Sequence, residues 1–584
     1  MIELASLSRG FRKAYLDHAA ITAQLRAWAT AYPAFVSLRE IGRTREHREL
    51  WMLVIGTNPD DARPGVWVDG NMHAAEVAGS SVALAIAESV IAIHIELANG
   101  PGASHAQSTE LPLHLKRAVQ GTLFYVVPRI SPDGAEAVLS TGRYVRSVPR
   151  DERTQGGAAR WAADDLDGDG RMLLMRKQDP TGDFVEHPDA PGVMVPRTLE
   201  DTGPFYKLWP EGRIEHFDGD RVPSPGFLSD NYPDLNRNFP FRWASEPDQV
   251  GAGPYPGSEP EARAVIESAS RLPNIYAWLN LHTFGGCFIR PPGDVPDAKM
   301  EAFDLAVYKQ VGRWAEDLTR YPMVSGYAEF LYEPDKPLFG ALCEWAYEHR
   351  AALSYVCELW DIFARLGMPR PKRFVDYYTS LGRDDLAKLA RWDAEHNHGR
   401  IFQPWKRIRH DQLGEVEVGG LDRRVGLYNP PYEELPAICE SQTKLMLRVA
   451  AMLPRLVISR VEVAPIRENV TRVSVTVENH GYLPTYGMKS GLKRPFNEGA
   501  YADISCEGCS LEEPLRTRLS VGHLEGWGKG LEAGSQAIFF QASGGSETSH
   551  TLRFTALGKG WATVRVGSSR MGFVERRIGI GGGI

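Results

Sequence analysis

Over the first two-thirds of the chain, short apolar runs alternate with longer stretches of helical periodicity, and few folds accommodate that pattern. The short runs are rich in β-branched and aromatic residues and end at Gly, Pro or Asn, as buried strands do. They are Leu50–Ile55, Gly65–Asp69, Thr122–Val127, Ile275–Leu281 and Leu353–Leu359. The intervening stretches predict helices over Ala20–Tyr32, Val77–Ala98, Glu259–Arg271, Met300–Leu318 and Leu342–Arg350. This alternation predicts an α/β fold with a mixed, mostly parallel sheet flanked by helices.

The pattern changes at two places, which predicts how the chain is divided. Residues 151–231 are polar and rich in Asp, Gly and Pro, and a structureless loop of this length is uncommon in a compact domain, so we interpret them as an insertion or small subdomain. Helical patterning returns over 373–455. From about Arg455 the residues alternate as in strands, which predicts a C-terminal β-sandwich. We therefore expect a catalytic domain at 1–454 and an accessory domain at 455–584.

Charge and cysteine content exclude several classes of protein. The 584 residues carry 66 basic and 74 acidic side chains, a net charge of −8, with no long Lys/Arg block, which argues against nucleic acid as a partner. Six scattered cysteines do not form a disulfide framework. The first residues lack a secretory signal pattern, and the apolar stretch Val77–Ala98 is interrupted by Glu88, His94 and Glu96. We expect a cytoplasmic protein with no membrane partner; its oligomeric state stays open.

A possible metal site begins at His73-Ala-Ala-Glu76, directly after a strand-like run. An imidazole and a carboxylate three residues apart on a helical turn share one face and are able to bind one zinc ion. His282 follows the run Ile275–Leu281, where side chains emerge at the edge of a sheet. Two His and one Glu leave the fourth position on zinc open, which is typical of catalytic rather than structural sites.

Further motifs follow in a fixed order. They are the predicted turn Pro132-Asp133-Gly134, Arg143-Tyr-Val-Arg146, Asp234-Leu-Asn236-Arg237-Asn238, Glu344-Trp345-Ala346-Tyr347 and Glu358. The ordered series, from about 15 to 361, resembles the zinc carboxypeptidases of the carboxypeptidase A-like family. The intervals from Gly134 to Arg146, Asp234 to Arg237 and Trp345 to Glu358 also match that family.

The resemblance implies a role for each matching residue at the metal. His73, Glu76 and His282 would bind one catalytic Zn²⁺. Asp234 would hold the His73 imidazole in the required tautomer. Glu358 would be the general base for a zinc-activated water and would pass the proton to the leaving amine.

The resemblance also implies the residues that contact the substrate. Arg146 would polarise the scissile carbonyl, and Asn236 with Arg237 would bind the terminal carboxylate of a peptide or small carboxylate substrate. Arg143 belongs to the same arginine pair as Arg146 and is a further candidate for substrate binding. The family's usual tyrosine is missing at the simple spacing, and Tyr332 would take its place if four residues are inserted.

Three other positions depart from the family pattern or bear on its specificity. Ala75 replaces an arginine, Lys336 stands where the tyrosine is expected, and Phe284 replaces a tyrosine after the metal His. The specificity position is Cys343, so we expect a neutral pocket that favours an apolar or small terminal residue. Arg290 offers the opposite possibility, recruitment of an acidic side chain.

The insertion contains Asp165-Leu-Asp167-Gly-Asp169-Gly170, which resembles the start of a Ca²⁺ loop. Position 12 is Arg176 instead of a bidentate Glu, so an Asp/Gly turn without metal is an equal alternative.

The favoured function is a zinc metallocarboxypeptidase that hydrolyses C-terminal peptide bonds. One alternative is a zinc amidohydrolase acting on small N-acyl amino acids or cell-wall peptides. The other is a non-catalytic binding protein, whose members tend to lose the base or a ligand, whereas Glu358 and all three ligands are present here.

Overall fold

Three extended β-sheets organise the chain in the computed structural model, which describes residues 3–100, 110–150, 158–226, 233–333, 335–528 and 545–581. Both ends of the predicted insertion, 151–157 and 227–231, lie outside these residues.

The first sheet has eight strands: β1 Val36–Arg43, β2 Glu49–Ile55, β3 Gly65–Gly70, β4 Leu123–Val127, β11 Ile275–Thr283, β12 Cys287–Arg290, β13 Met323–Ser325 and β14 Leu353–Leu359. They lie in the order β1-β2-β4-β3-β11-β14-β12-β13. The four central strands, β4, β3, β11 and β14, are mutually parallel, and the outer pairings are mostly antiparallel. The predicted mixed, mostly parallel sheet flanked by helices is therefore confirmed.

Helices flank this sheet, and the helices of the described residues include each of the five predicted from periodicity. They are His18–Ala31, Ala78–Asn99, Leu113–Gln120, Pro132–Thr141, Pro260–Ser270, Ala302–Thr319, Gly326–Glu329, Leu342–Arg350, Ile362–Arg365, Asp376–Thr379, Arg383–His396 and Leu435–Ala451. Among the described residues, Ala78–Asn99 is long and apolar enough to cross a membrane, but 83% of its most apolar stretch is buried inside the protein. Its apolar character is that of a core helix.

The motif Pro132-Asp133-Gly134 opens the helix Pro132–Thr141 instead of forming the predicted isolated turn. Proline suits the first helical turn, where its missing N–H has no partner in the helix. A Cβ on Gly134 would lie 2.1 Å from the carbonyl oxygen of Ser147. Glycine at this position therefore lets the segment that carries Arg146 pack directly against the helix.

The second sheet joins the insertion to a later part of the chain. Its strands are Leu174–Gln178 (β6), Phe184–His187 (β7), Ala190–Pro196 (β8), Phe205–Pro210 (β9), Phe402–His410 (β15) and Gly414–Leu421 (β16), in the order β15-β16-β6-β9-β7-β8. A separate pair is formed by Arg160–Ala163 (β5) and Gly212–Glu215 (β10). The helical prediction for 373–455 is thus wrong over 402–421. That hairpin is largely exposed on one face, so its charged residues hide the alternation of the strands.

The C-terminal part, for which the sequence predicted a β-sandwich, is an antiparallel β domain whose six strands are connected in one sheet. Its strands are Leu456–Arg467 (β17), Val470–Asn479 (β18), Ala500–Leu511 (β19), Arg518–Gly522 (β20), Ser549–Ser568 (β21) and Gly572–Ile580 (β22), in the order β17-β18-β21-β19-β20 with β22 on β21. Buried Arg570 donates to the carbonyl oxygens of Pro273 (2.6 Å) and Ala351 (3.2 Å). These residues lie just before β11 and β14, so the C-terminal sheet packs against the base of the two strands that carry His282 and Glu358.

Candidate active site

The three predicted metal ligands meet at the carboxyl edge of the first sheet. His73 and Glu76 lie in a turn between β3 and the helix Ala78–Asn99, rather than on a helix, and His282 is the penultimate residue of the neighbouring β11. Glu76 is 2.8 Å from His73 (Oε1 to Nδ1) and 2.9 Å from His282 (Oε2 to Nδ1). The two imidazole Nδ1 atoms are 3.0 Å apart. Adjacent parallel strands place their following residues at one edge, which brings distant residues together here.

Hydrogen bonds at the far side of each imidazole leave Nδ1 directed at Glu76. His73 Nε2 is 3.2 Å from Asp234 Oδ1, and His282 Nε2 is 2.6 Å from Asn280 Oδ1. With Nε2 protonated in both rings, each Nδ1 carries a lone pair. Ligand atoms from the three residues lie within 4.8 Å of one another and are buried. Two imidazoles, a carboxylate and their supporting acceptors fit the preferences of Zn²⁺.

The support for His282 was not foreseen from the sequence. Asn280 Nδ2 donates to Asp69 Oδ1, and the indole N–H groups of Trp67 and Trp278 donate to Asp69 Oδ2 at 2.8 and 2.7 Å. These hydrogen bonds lower the pKa of Asp69, but the effect of burial is larger and raises it to about 6. A signal did exist: Asp69 and Asn280 are polar residues in otherwise apolar strands, and they are direct partners in the pairing of β3 with β11.

Arg146 and Asp234 form an ion pair beside the ligands. Arg146 Nε is 3.0 Å from Asp234 Oδ2, and its Nη1 is 3.9 Å from Glu76 Oε1. Burial raises the pKa of Asp234, but the charges of Arg146 and Arg237 outweigh burial and hold it well below the usual range. Asp234 therefore stays ionised, and it also accepts from the backbone N–H of Asn236, which fixes the start of the short turn Leu235–Arg237.

Glu358 lies directly beside His282, because the two are register partners in the parallel pairing of β11 with β14. Burial raises the pKa of Glu358 to about 8; His282 lowers it and Glu76 raises it. A carboxylate that is this poorly stabilised as an anion is a ready proton acceptor.

One cavity of about 270 Å³ joins nine of the predicted site residues. They are His73, Glu76, Arg146, Asn236, Arg237, His282, Tyr332, Cys343 and Glu358. Tyr332 lines this cavity, whereas Lys336 is exposed and paired with Glu333 at 2.6 Å, as the four-residue insertion requires. Asn236 also supports the fold around the cavity, because its Oδ1 accepts from the N–H of Leu342, the first residue of the helix Leu342–Arg350.

Arg143 is the exception among the predicted substrate-binding residues, because it lines a neighbouring cavity and does not line this one. The sequence also missed Glu344, Tyr378 and Tyr428 as lining residues. The Tyr378 hydroxyl donates to the carbonyl oxygen of Phe284 and so fixes the loop that follows His282.

The cavity contains a carboxylate beside Cys343, which the neutral pocket expected from Cys343 did not include. The Cys343 thiol is buried and accepts a hydrogen bond from Ser354 (3.4 Å), while the adjacent Glu344 also lines the cavity. A Cβ at Gly293 would lie 2.6 Å from Glu344 Oε1, so the carboxylate occupies the space that glycine leaves. Burial raises the pKa of Glu344 to about 7. Arg290 does not line the cavity; its guanidinium is paired with Asp297.

The candidate calcium loop is not supported. Asp169 does not join the cluster of Asp165, Asp167 and Glu211, and its carboxylate binds Arg171 at 2.8 Å. The Asp165 oxygens accept from the N–H groups of Gly168 and Gly170, as in an Asp/Gly turn.

Donor atoms from two His and a Glu, with a second Glu beside them, place the molecule among metal-dependent α/β hydrolases. The family model described as zinc carboxypeptidase matches residues 21–167 and 227–378, just over half of the chain. The chain therefore belongs to the zinc carboxypeptidase family. Residues 455–579 match a model described as a domain of unknown function, DUF8731.

Individual relatives share less than a third of their residues with this chain over the matched ranges. The chain is 30% identical over 326 residues to carboxypeptidase B of Astacus astacus, covering 53% of this chain and 76% of that protein. It is 27% identical over 123 residues to a zinc carboxypeptidase of Saccharothrix mutabilis subsp. capreolus, covering 21% of this chain and only 25% of that protein. A structure of bovine thrombin-activatable fibrinolysis inhibitor in complex with tick carboxypeptidase inhibitor aligns with a TM-score of 0.41 and 15% identity, covering 76% of this chain and 98% of that one.

Proposed function

We propose that this protein is a zinc metallocarboxypeptidase that removes C-terminal residues from peptides and prefers a cationic terminal side chain. The observation that carries the proposal is one cavity lined together by a His–Glu–His donor set, a partly buried Glu beside it and Arg237. Within the described residues Arg237 forms no ion pair, and its Nη1 donates to the carbonyl oxygen of its neighbour Asn236. Its guanidinium therefore retains donors for a ligand.

His73, Glu76 and His282 would hold the zinc ion, since their donor atoms already converge. A bound zinc ion lowers the pKa of a coordinated water and polarises a carbonyl group. Asp234 and Asn280 keep the two imidazoles in the tautomer that leaves Nδ1 available.

The remaining steps belong to side chains of the cavity. Glu358 takes a proton from the attacking water while the new C–O bond forms. It then delivers this proton to the amine nitrogen as the peptide C–N bond breaks. Arg146 donates to the oxygen on which negative charge develops, and Asp234 fixes its guanidinium. Burial raises the pKa of Glu358 towards neutrality, which suits a group that first accepts and then delivers a proton.

Two opposite charges would select the terminal residue. Partial burial lowers the pKa of Arg237, while the charge of Asp234 raises it and keeps the guanidinium cationic. Its fork suits a terminal carboxylate. In the described part of the chain, Glu344 forms no ion pair, although it is partly buried beside Gly293. Partial burial of an unpaired carboxylate is unfavourable, so a lysine or arginine side chain entering the pocket gains a strong partner there.

The test is a mass-spectrometric digest of peptide pairs that differ only in a free or amidated C-terminus. We expect release of terminal Lys and Arg from the free peptides alone, because an amide offers Arg237 no negative charge. Glu358→Gln removes the base and is expected to lower turnover by about 10²–10⁴-fold. Exposed Glu395→Gln is the matched control and is expected to retain wild-type activity.

Other outcomes would redirect the assignment. Intact peptides together with hydrolysis of N-acyl amino acids would indicate the amidohydrolase alternative. Binding without any hydrolysis would indicate a non-catalytic protein. The cytoplasmic location and the expectation of no nucleic-acid or membrane partner stay predictions from the sequence.

A further inference from the structure

A second cavity, of about 200 Å³, adjoins the candidate active site, and Tyr144 lines both. One wall comes from the segment that leads to Arg146, and the other comes from the insertion. The insertion contributes mainly apolar side chains, namely Met172, Leu173, Leu174, Phe184, Leu208 and Trp209. The insertion therefore builds a cavity that the first sheet alone does not provide.

Two guanidinium groups line this cavity without an acidic partner. In the described residues, neither Arg143 nor Arg423 forms an ion pair, and Arg143 Nε is buried without a hydrogen-bond partner. Burial lowers the pKa of Arg143, and the charge of Glu46 opposes this effect only from a distance. Glu211 also lines the cavity, but its oxygens accept from the N–H groups of Leu166 and Leu173, and burial raises its pKa to about 7. The cavity thus holds two guanidinium groups against one carboxylate, which backbone N–H groups already engage, within mainly apolar walls.

The position of the cavity identifies the part of a substrate that would reach it. A peptide with its terminal carboxylate at Arg237 and its scissile carbonyl at Arg146 continues past Arg146 towards its own N-terminus. Arg146 and Tyr144 line the first cavity, and Tyr144 and Arg143 line the second, so this segment connects the position of the scissile carbonyl with the second cavity. Residues upstream of the scissile bond therefore lie nearest to it.

We propose that this second cavity binds an acidic residue, flanked by an apolar one, on the N-terminal side of the scissile bond. This inference rests on the proposed carboxypeptidase function. A substrate carboxylate supplies the missing partner of Arg143 and Arg423, and an apolar neighbour covers Trp209 and the leucines. The preferred substrates then carry a negative charge upstream and a positive charge at the C-terminus.

The test compares acetyl-Glu-Phe-Ala-Lys with acetyl-Gln-Phe-Ala-Lys. Binding to the zinc-loaded Glu358→Gln protein is measured by calorimetry, and release of lysine is measured with the wild-type protein. One charge-assisted contact predicts about tenfold tighter binding of the Glu peptide. Arg143→Gln and Arg423→Gln should each bring the ratio of the two dissociation constants towards one. Exposed Arg271→Gln, outside the cavity, is the control and should keep the wild-type ratio.

Equal binding of the two peptides to the parent protein would overturn the proposal. The proposal would also be overturned if Arg143→Gln and Arg423→Gln both left the ratio of the two dissociation constants unchanged. Failure of the proposed function has a different signature, because no peptide would then release lysine while the binding ratio stayed measurable.

Discussion

The hydrogen-bond network around Asp69 makes a quantitative prediction for Asp69→Ala. The carboxylate accepts three buried hydrogen bonds, from Trp67, Trp278 and Asn280. At about 1.5–3 kcal/mol for each bond to a charged group, their loss costs about 5–9 kcal/mol. Burial raises the pKa of Asp69 to about 6 even with these three hydrogen bonds in place, so the substitution also releases the cost of burying the carboxylate, which offsets part of this loss. The free energy of unfolding should therefore fall by less than this sum but by more than about 1 kcal/mol, the cost of leaving one buried donor unpaired.

The same substitution should weaken zinc binding, because Asn280 loses the contact that orients it towards His282. Loss of such outer support lowers metal affinity by about 10–100-fold. Urea unfolding followed by tryptophan fluorescence measures stability, and competition with a fluorescent chelator measures zinc affinity. Asp60→Ala is the control, since this side chain is exposed and pairs with Arg39 at the surface. A loss below about 1 kcal/mol with unchanged zinc affinity would refute the reasoning.

Three further predictions concern stability, pH and metal. Arg570→Met should lower the free energy of unfolding by about 3–5 kcal/mol, because two buried carbonyl oxygens lose their donor. Urea titrations measure this loss, and the exposed control Arg576→Met should leave the free energy of unfolding unchanged. The ratio of kcat/KM for Lys-terminal over Leu-terminal peptides should rise as pH increases through about 7, where Glu344 becomes anionic, and a flat ratio between pH 6 and 8 would contradict this role. Dipicolinic acid should abolish peptide hydrolysis and lower the Tm, and Zn²⁺ should restore both, because the metal binds the folded state alone.

Much of the first sheet and its helices could be predicted from the sequence, because strand and helix periodicity are local properties of the chain. The strand Leu353–Leu359 and the helix Leu342–Arg350 have the predicted bounds. The metal-site residues could be predicted because their order along the chain resembles a known family. The hairpin 402–421 was missed, since its pairing partner β6 lies more than two hundred residues earlier and its exposed face carries charges that mask the alternation.

The chemistry of the pockets was decided by tertiary structure. That Glu344 lines the cavity together with Cys343 depends on how the helix Leu342–Arg350 packs and on the space left by Gly293. The pairing of Asp69 with Asn280 and the placement of Arg143 in a cavity completed by the insertion also depend on contacts between distant segments. By itself the sequence determined which elements form and which residues are available for chemistry, because these follow from local pattern and residue type. Only packing decided which charges are buried together, and that burial sets the pKa of Glu344, the orientation of His282 and the charge of the second cavity.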